Sequence, residues 1–172
     1  MELIEVLDKN GNSTGEILER DEVHKRNLLH NEIAVFLIND KGETLLQKRS
    51  GNKKHNPNKW AICAGHVEAY ESLENTVIRE AKEELGIDIP IKELKTFVEK
   101  ETKIRKNNSC ITNYFYYKTN MELHEFIIQK EELIEVKWVS IEDIIKMLEE
   151  ENDSIVFDKK SKYIFEKLKE IE

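Results

Sequence analysis

Residues 65–87 read GHVEAYESLENTVIREAKEELGI, and this stretch decides the fold. Its second part predicts a helix over residues 72–85, because apolar residues recur at every fourth position. Ser72 stands before this pattern as an N-cap, and Gly86 follows it at the position where a C′ glycine ends a helix. The apolar stripe consists of Leu73, Val77, Ala81 and Leu85.

Three carboxylates lie within about one turn of this predicted helix, at Glu80, Glu83 and Glu84. Like-charged neighbours on a helix cost about 0.2–0.5 kcal/mol a pair, and these flank the apolar stripe, where screening is weaker. A divalent cation would offset the repulsion, since Mg²⁺ prefers hard oxygen ligands. The alternative is a solvated face with Arg79 and Lys82 as salt-bridge partners.

The order of the predicted elements indicates an α+β fold. Strands come first, the helix over residues 72–85 is inserted, strands return, and two helices end the chain. One of the later strands is expected in the run EFIIQ, residues 125–129. No linker separates the last two helices from the rest, so we expect a single domain over residues 1–172.

The spacing of the charged residues is more specific than the helix pattern. Gly65 is followed after five residues by Glu71, and after seven more by Arg79-Glu80-Ala-Lys-Glu-Glu-Leu-Gly-Ile. This resembles the Nudix box, G-x5-E-x7-R-E-U-x-E-E-x-G-U with U aliphatic, at every fixed position of residues 65–87. The resemblance implies an α/β/α sandwich around a mixed sheet.

The resemblance also implies an activity. Nudix enzymes hydrolyse a nucleoside diphosphate linked to another group, and they cut a pyrophosphate bond with Mg²⁺ or Mn²⁺. The metal site would consist of Glu80, Glu83, Glu84 and Gly65, where the glycine permits a tight loop beside the cation. Glu71 and Arg79 would orient the other carboxylates. The general base would be Glu80 or one of the acids Glu131, Glu132 and Glu135.

Substrate binding is predicted from a basic stretch and from the box. Lys48 and Arg49 begin the basic part of QKRSGNKKHNPNKW, residues 47–60, which would draw in phosphates. A solvated loop is an equally good interpretation, and Arg49 is the strongest candidate because it ends a predicted strand. His66, directly after Gly65, is the third predicted substrate contact.

Three histidines raise a rival interpretation. The segments around His24, His30 and His66 look like the branch of the Nudix superfamily that includes isopentenyl-diphosphate isomerase. That enzyme uses a His/Glu metal cluster and a cysteine directly before the Gly-His pair. Here Ala64 holds that position, and Cys63 lies one residue earlier. One step along a strand reverses the side chain, so we expect Cys63 to be a buried core thiol.

The isomerase also needs acids on the strand after the box. Residues 107–112, NNSCIT, offer Cys110 and no carboxylate. A complete hydrolase box beside an incomplete isomerase site favours hydrolysis. A third alternative is a Nudix domain that binds a nucleotide without turnover, although a pure binding domain has no need of the full acid set.

Composition narrows the class of partner. The net charge of −8 argues against binding duplex nucleic acid, which usually requires a basic face. The longest apolar run, residues 33–38, is too short to cross a membrane, and two cysteines without a CxxC pair fit a reducing cytosol. We expect a cytoplasmic enzyme with a small nucleotide-type substrate, and a homodimer is an open alternative to a monomer.

Overall fold

A mixed sheet of eight strands forms the centre of the structure, a computed structural model that describes residues 2–171. A separate two-stranded hairpin precedes it. The strands are β1 (Leu3–Leu7), β2 (Ser13–Glu19), β3 (His30–Ile38), β4 (Glu43–Arg49), β5 (Trp60–Ala61), β6 (Cys63–His66), β7 (Lys95–Thr96), β8 (Glu101–Lys103), β9 (Cys110–Lys118) and β10 (Leu133–Ser140). The helices are α1 (Arg20–Lys25), α2 (Leu73–Leu85), α3 (Ile141–Glu149) and α4 (Lys162–Leu168).

Strand β3 is the centre of the sheet. The strand order is β10-β4-β3-β9-β7, with β5 beside β4, β6 beside β3 and β8 beside β9. β3 and β9 run parallel, with Glu32 opposite Thr112, whereas β6 lies antiparallel to β3, with Gly65 opposite Ile33. The sheet is therefore mixed, as predicted, and it brings residues of the box next to β3.

Alternation along β3 divides the core into two layers. Ile33, Val35 and Leu37 pack with the apolar stripe of α2, and we call this side the α2 face. Ala34, Phe36 and Ile38 pack with α3 and α4, and we call this side the opposite face. Each fully buried aliphatic side chain contributes about 1.5–3 kcal/mol. Helices thus cover both faces of the mixed sheet, which confirms the predicted α/β/α sandwich.

Helix α2 begins and ends at the predicted caps. The hydroxyl of Ser72 accepts a hydrogen bond from the backbone N–H of Asn75 at 3.1 Å. Gly86 has a φ of 72°, in the left-handed region, and its N–H donates to the carbonyl of Lys82 at 3.0 Å. These caps fix where the helix starts, and hence where the acids of its last turns lie.

The strand expected at residues 125–129 is wrong. Most of this segment is irregular, and it lies beside the C-terminal end of α2 in space. Ile127 N–H donates to the carbonyl of Leu85 and Gln129 N–H to that of Glu84, both at 3.0 Å. These backbone N–H groups bond to helix carbonyls that have no partner inside the helix. Apolar periodicity cannot show whether an extended run bonds to a helix end or to a neighbouring strand.

None of the helices within residues 2–171 combines the length and the apolar character needed to cross a membrane.

Candidate active site

Arg79 is the centre of the charged residues on the α2 face. Its Nε and Nη2 donate to the carboxylate of Glu71 at 3.1 and 3.0 Å, and its Nη1 donates to Glu80 at 2.8 Å and Glu83 at 3.4 Å. Nη2 also donates to the backbone carbonyl of His66 at 3.2 Å. One guanidinium therefore holds the acids and the end of β6 together. We call Glu71, Glu80, Glu83 and Glu84 the carboxylate cluster.

The fourth acid of the cluster, Glu84, is buried and held from the sheet. Gln47 Nε2 on β4 donates to Glu84 at 2.6 Å, and the thiol of Cys63 on β6 hydrogen-bonds to the same carboxylate. Burial raises the pKa of Glu84 above its ordinary value, although both hydrogen bonds oppose the shift. The buried Cys63, 3% exposed, confirms the prediction of a core thiol.

Glu80 is the acid whose protonation is most altered. Burial, reinforced by the charge of Glu84, raises the pKa of Glu80 to about 7, while Arg79 opposes the shift. Burial also disfavours the charge on Glu71, but the hydrogen bonds from Arg79 and Thr76 hold the pKa of Glu71 below its ordinary value. Burial thus disfavours the charged form of both Glu80 and Glu84, and the donors and cations around them offset this only in part.

Gly65 lies against Glu80. A Cβ placed on Gly65 would overlap the carboxylate of Glu80, so any side chain there would displace that acid. Strand β6 approaches α2 closely at this point because the glycine has no side chain. The donors gathered here are carboxylate oxygens, the set that suits Mg²⁺ or Mn²⁺. The kind of donor fits the predicted cation, although among the described residues the group of three whose ligand atoms lie within 4.8 Å of one another is His24, His30 and His66. The individual roles of the acids stay predictions.

The two basic residues predicted to bind substrate lie on different faces of β4. Arg49 shares the α2 face with Gln47; burial lowers the pKa of its guanidinium, and the charge of Glu84 opposes that shift. Lys48 points to the opposite face, where its ammonium lies 5.7 Å from the ring centroid of Trp60. The structure brings Arg49, and not Lys48, to the carboxylate cluster.

The three candidate bases outside the box differ in their exposure and in their distance from the carboxylate cluster. Glu131 and Glu135 are exposed, whereas Glu132 is half-buried and pairs with Lys53. The charges of Glu84 and Glu80 both act on Lys53, which places this pair at the rim of the carboxylate cluster. Of the acids near β10, Glu132 is therefore the best placed alternative to Glu80.

His66 does not join the carboxylate cluster through its ring. The ring lies on the opposite face, with Nε2 3.2 Å from Nε2 of His24, and the ring centroid of His30 lies 5.2 Å from its own. Burial lowers the pKa of His66 to about 4, so its imidazole is neutral at neutral pH. Substrate binding by His66 stays a prediction. We call His24, His30 and His66 the histidine cluster.

Two polar residues at these sites were not predicted from the sequence. Gln47 holds Glu84, and Glu32 lies with its carboxylate 3.9 Å from Nε2 of His66. In each case the available signal was strand alternation, because Gln47 is two residues before Arg49 and Glu32 two residues after His30. The partners on other strands could not be deduced from one sequence.

Curated proteins similar to this chain include both isomerases and hydrolases. An isopentenyl-diphosphate Delta-isomerase 2 of Photorhabdus laumondii is 32% identical over 141 residues, which are 81% of this chain and 78% of that protein. A prenyl-diphosphate phosphatase of Methanosarcina mazei is 29% identical over 150 residues, 87% and 85% of the two chains.

Solved structures show the same fold. A MutT protein of Methanosarcina mazei aligns with a TM-score of 0.67 at 26% identity, covering 83% of this chain and 94% of that one. A Deinococcus radiodurans protein aligns with a TM-score of 0.75 at 18% identity, covering 97% and 99%. The family model described as NUDIX domain matches residues 28–159. The chain therefore belongs to the NUDIX domain family.

Proposed function

We propose that this protein is a cytoplasmic hydrolase that uses Mg²⁺ or Mn²⁺ to cut a pyrophosphate bond in a small nucleoside diphosphate derivative. The observation that carries the proposal is the close pair of Glu80 and Glu84: burial raises the pKa of both, and the charge of Glu84 adds to the shift of Glu80. A dication is the partner that resolves this conflict. The family membership supports the reaction class.

The chain's own residues supply positioning and a base. Glu80, Glu83 and Glu84 would hold the cation, which when bound neutralises phosphate charge and acidifies a bound water. Arg79 keeps Glu80 and Glu83 in place through its hydrogen bonds. In the metal-free protein the pKa of Glu80 is about 7, and a bound cation would lower it, so that the carboxylate is ionised and can accept a proton.

The bond changes are simple. The water oxygen forms a bond to phosphorus, the bridging P–O bond breaks, and the water proton passes to Glu80 or, as the alternative base, to Glu132. Arg49 would contact a phosphate oxygen, and the electrostatic effect of Glu84 on its guanidinium supports this role. The leaving group keeps the bridging oxygen and the electron pair of the broken P–O bond, and it departs as a phosphate anion.

A second substrate class is supported by the named relatives. The phosphatase relative acts, by its name, on prenyl diphosphates, and the isomerase relative on isopentenyl diphosphate. A prenyl diphosphate is therefore the second candidate substrate for the same hydrolysis. Isomerisation itself is less well supported, because the exposed Ala64 stands where the isomerase cysteine would be.

A substrate panel tests the proposal. The purified protein is incubated with nucleoside diphosphate sugars, dinucleoside polyphosphates, isopentenyl diphosphate and longer prenyl diphosphates, with Mg²⁺, with Mn²⁺ or with a chelator. We expect metal-dependent release of a nucleoside monophosphate, detected by chromatography. Release of phosphate from prenyl diphosphates would select the second substrate class. Tight binding without turnover across the panel, or conversion of isopentenyl diphosphate to its isomer, would overturn the hydrolase assignment.

A further inference from the structure

Gln47 is a buried amide inside the sheet, on β4. Its residue is 1% exposed, and in the strand register it lies opposite Ala61 of β5 on one edge and Val136 of β10 on the other. Its side chain reaches α2 through Glu84. A polar side chain buried in this way costs free energy unless its donors and acceptors are hydrogen-bonded. The partners of the amide therefore indicate what it is there for.

The nitrogen of this amide is used to hold Glu84. Nε2 donates to Oε2 of Glu84 at 2.6 Å, and the thiol of Cys63 on β6 hydrogen-bonds to the same carboxylate. The other three acids of the carboxylate cluster are instead paired with the guanidinium of Arg79. Because an amide and a thiol are neutral, they orient the charge of Glu84 without cancelling it. That charge stays available to a cation.

The oxygen of the same amide has no use within the chain. Oε1 of Gln47 is buried, and it accepts no hydrogen bond from any group of residues 2–171. A buried acceptor without a partner is destabilising, and an apolar side chain of the same length would avoid that cost. Because Oε1 and Nε2 are bonded to one carbon, Oε1 lies beside the carboxylate of Glu84. The chain thus keeps a costly acceptor next to the proposed cation site.

We propose that Gln47 is a positioning residue of the cation site: its N–H group holds Glu84, and its amide oxygen accepts a hydrogen bond from a water of the bound cation. The assignment rests on the proposed function, which assigns Mg²⁺ or Mn²⁺ to the acids of α2. Mg²⁺ usually keeps several waters in a protein site, and those waters need acceptors. Gln47 acts through Glu84 and through water, and it does not touch the reacting atoms.

A structural role and a positioning role of Gln47 predict different effects on stability. If the amide served the fold, its removal would lower the stability of the metal-free protein. If it serves the cation, an apolar replacement removes one hydrogen bond and one unpaired acceptor together, which is nearly neutral for the metal-free fold. Affinity for the cation then falls while the fold is kept.

The test measures binding of Mn²⁺ to the full chain without any substrate, from the electron paramagnetic resonance signal of free Mn²⁺. Gln47→Met keeps the length of the side chain and removes both the N–H group and the oxygen. We expect the Kd for Mn²⁺ to rise about 10–100-fold, the loss typical of groups that orient metal ligands. The metal-free Tm should stay within about 4 °C of the parent's. Gln47→Asn retracts the same amide by one methylene and should also weaken binding, so it replaces Gln47→Met if that variant does not fold.

Two further variants separate the roles of the nitrogen and the oxygen. Cys63→Ala removes the other donor to Glu84 and leaves the oxygen of Gln47 in place, so it should raise the Kd for Mn²⁺ less than Gln47→Met does. The matched control is Asn113→Leu, which removes an amide on the same face of the sheet, opposite Ile33. That amide donates to the side chain of Asn31 and to backbone carbonyls. Its loss should lower the metal-free Tm and leave the Kd for Mn²⁺ within about twofold.

The outcomes distinguish this assignment from the proposed function. An unchanged Kd for Mn²⁺ in folded Gln47→Met would overturn the role of Gln47, and so would an equal loss of affinity in Asn113→Leu. Equal losses in Gln47→Met and Cys63→Ala would overturn the role of the oxygen. Because no turnover is measured, a substrate panel without hydrolysis leaves the role of Gln47 standing. A parent protein that binds no Mn²⁺ would overturn both that role and the cation site.

Discussion

The two faces of the sheet carry two clusters that were assembled in different ways. The carboxylate cluster comes from residues 71–84, one loop and one helix, and three of its four acids share the guanidinium of Arg79. The histidine cluster comes from α1, β3 and β6, and its acid neighbour, Glu32, lies on β3. One cluster offers only oxygen atoms, and the other offers mainly nitrogen.

The sheet thus keeps two kinds of donor apart, with carboxylate oxygens on one face and imidazole nitrogens on the other. Hard oxygen donors suit the cation that accompanies a phosphate, whereas imidazoles suit transition metals. Because alternate residues of a strand point to opposite faces, β6 serves both sides, with Gly65 toward Glu80 and His66 toward His24. Substitutions on the two faces should therefore have different effects if only one face carries the reaction.

The largest expected effect is that of Glu84→Gln. Loss of this charge removes a predicted cation ligand, and a bound cation contributes several kcal/mol to a phosphoryl-transfer transition state, so turnover should fall about 10²–10⁴-fold. Steady-state kinetics with saturating Mg²⁺ measures it. Glu74→Gln, an exposed acid in the first turn of the same helix, is the matched control and should retain normal turnover. Near-normal activity in a folded Glu84→Gln protein would contradict the assignment of the reaction to the α2 face.

The next effect is a pH dependence of stability in the metal-free protein. The folded pKa of Glu80, about 7, lies above the ordinary value of 4.5, so the folded state binds more protons than the unfolded state between these two pH values. The contribution of Glu80 to the free energy of unfolding is complete below its unfolded pKa of 4.5. As the pH rises through the folded pKa of about 7, this contribution, about 3 kcal/mol, is lost. Urea unfolding with a chelator, at about pH 5 and about pH 8, measures the loss.

Glu80→Gln is the control for that measurement, because an amide does not titrate. Its free energy of unfolding should change less than that of the parent over the same pH interval. Saturating Mg²⁺ should restore more stability at the higher pH, where Glu80 is ionised in the bound state. Equal pH dependence in the parent and in Glu80→Gln would show that the carboxylates are not in conflict.

A smaller effect is expected from Gly65→Ala. The added methyl group would overlap the carboxylate of Glu80, so the acid or β6 must shift, at a cost of about 1–3 kcal/mol in the free energy of unfolding. Affinity for Mg²⁺ should fall with it. Ala64→Ser adds an atom at the neighbouring exposed position of β6 and serves as the control. A Gly65→Ala protein with parental stability and Mg²⁺ affinity would contradict the close approach.

The smallest effect distinguishes the two faces directly. Arg49→Gln should raise KM about tenfold, since a charged hydrogen bond to a phosphate contributes about 1.5 kcal/mol or more. Lys48→Gln, one residue away on the other face, should change KM less than twofold. Steady-state kinetics on the same substrate compares them. A larger effect of Lys48→Gln would place substrate binding on the side of the histidine cluster.

The helix and its acids could be predicted because their arrangement is local. Ser72 and Gly86 bound α2 as expected, and the helical repeat alone brings Glu80, Glu83 and Glu84 together. The mixed sheet with helices on both faces followed from the order of elements and from the family resemblance. The sequence wrongly predicts a strand at residues 125–129 because an apolar run that packs on a helix end has the same composition as a short strand.

The sequence by itself determined the box, its helix and the kind of donor that the box presents, since residues within one helical turn are neighbours whatever surrounds them. Only the tertiary structure decided that Gln47 donates a hydrogen bond to Glu84, 37 positions away. It also decided that Lys48 and Arg49 lie on opposite faces of the sheet, and that the carboxylate of Glu32 lies close to His66. Those contacts depend on strand register, and register is set by the packing of the whole sheet.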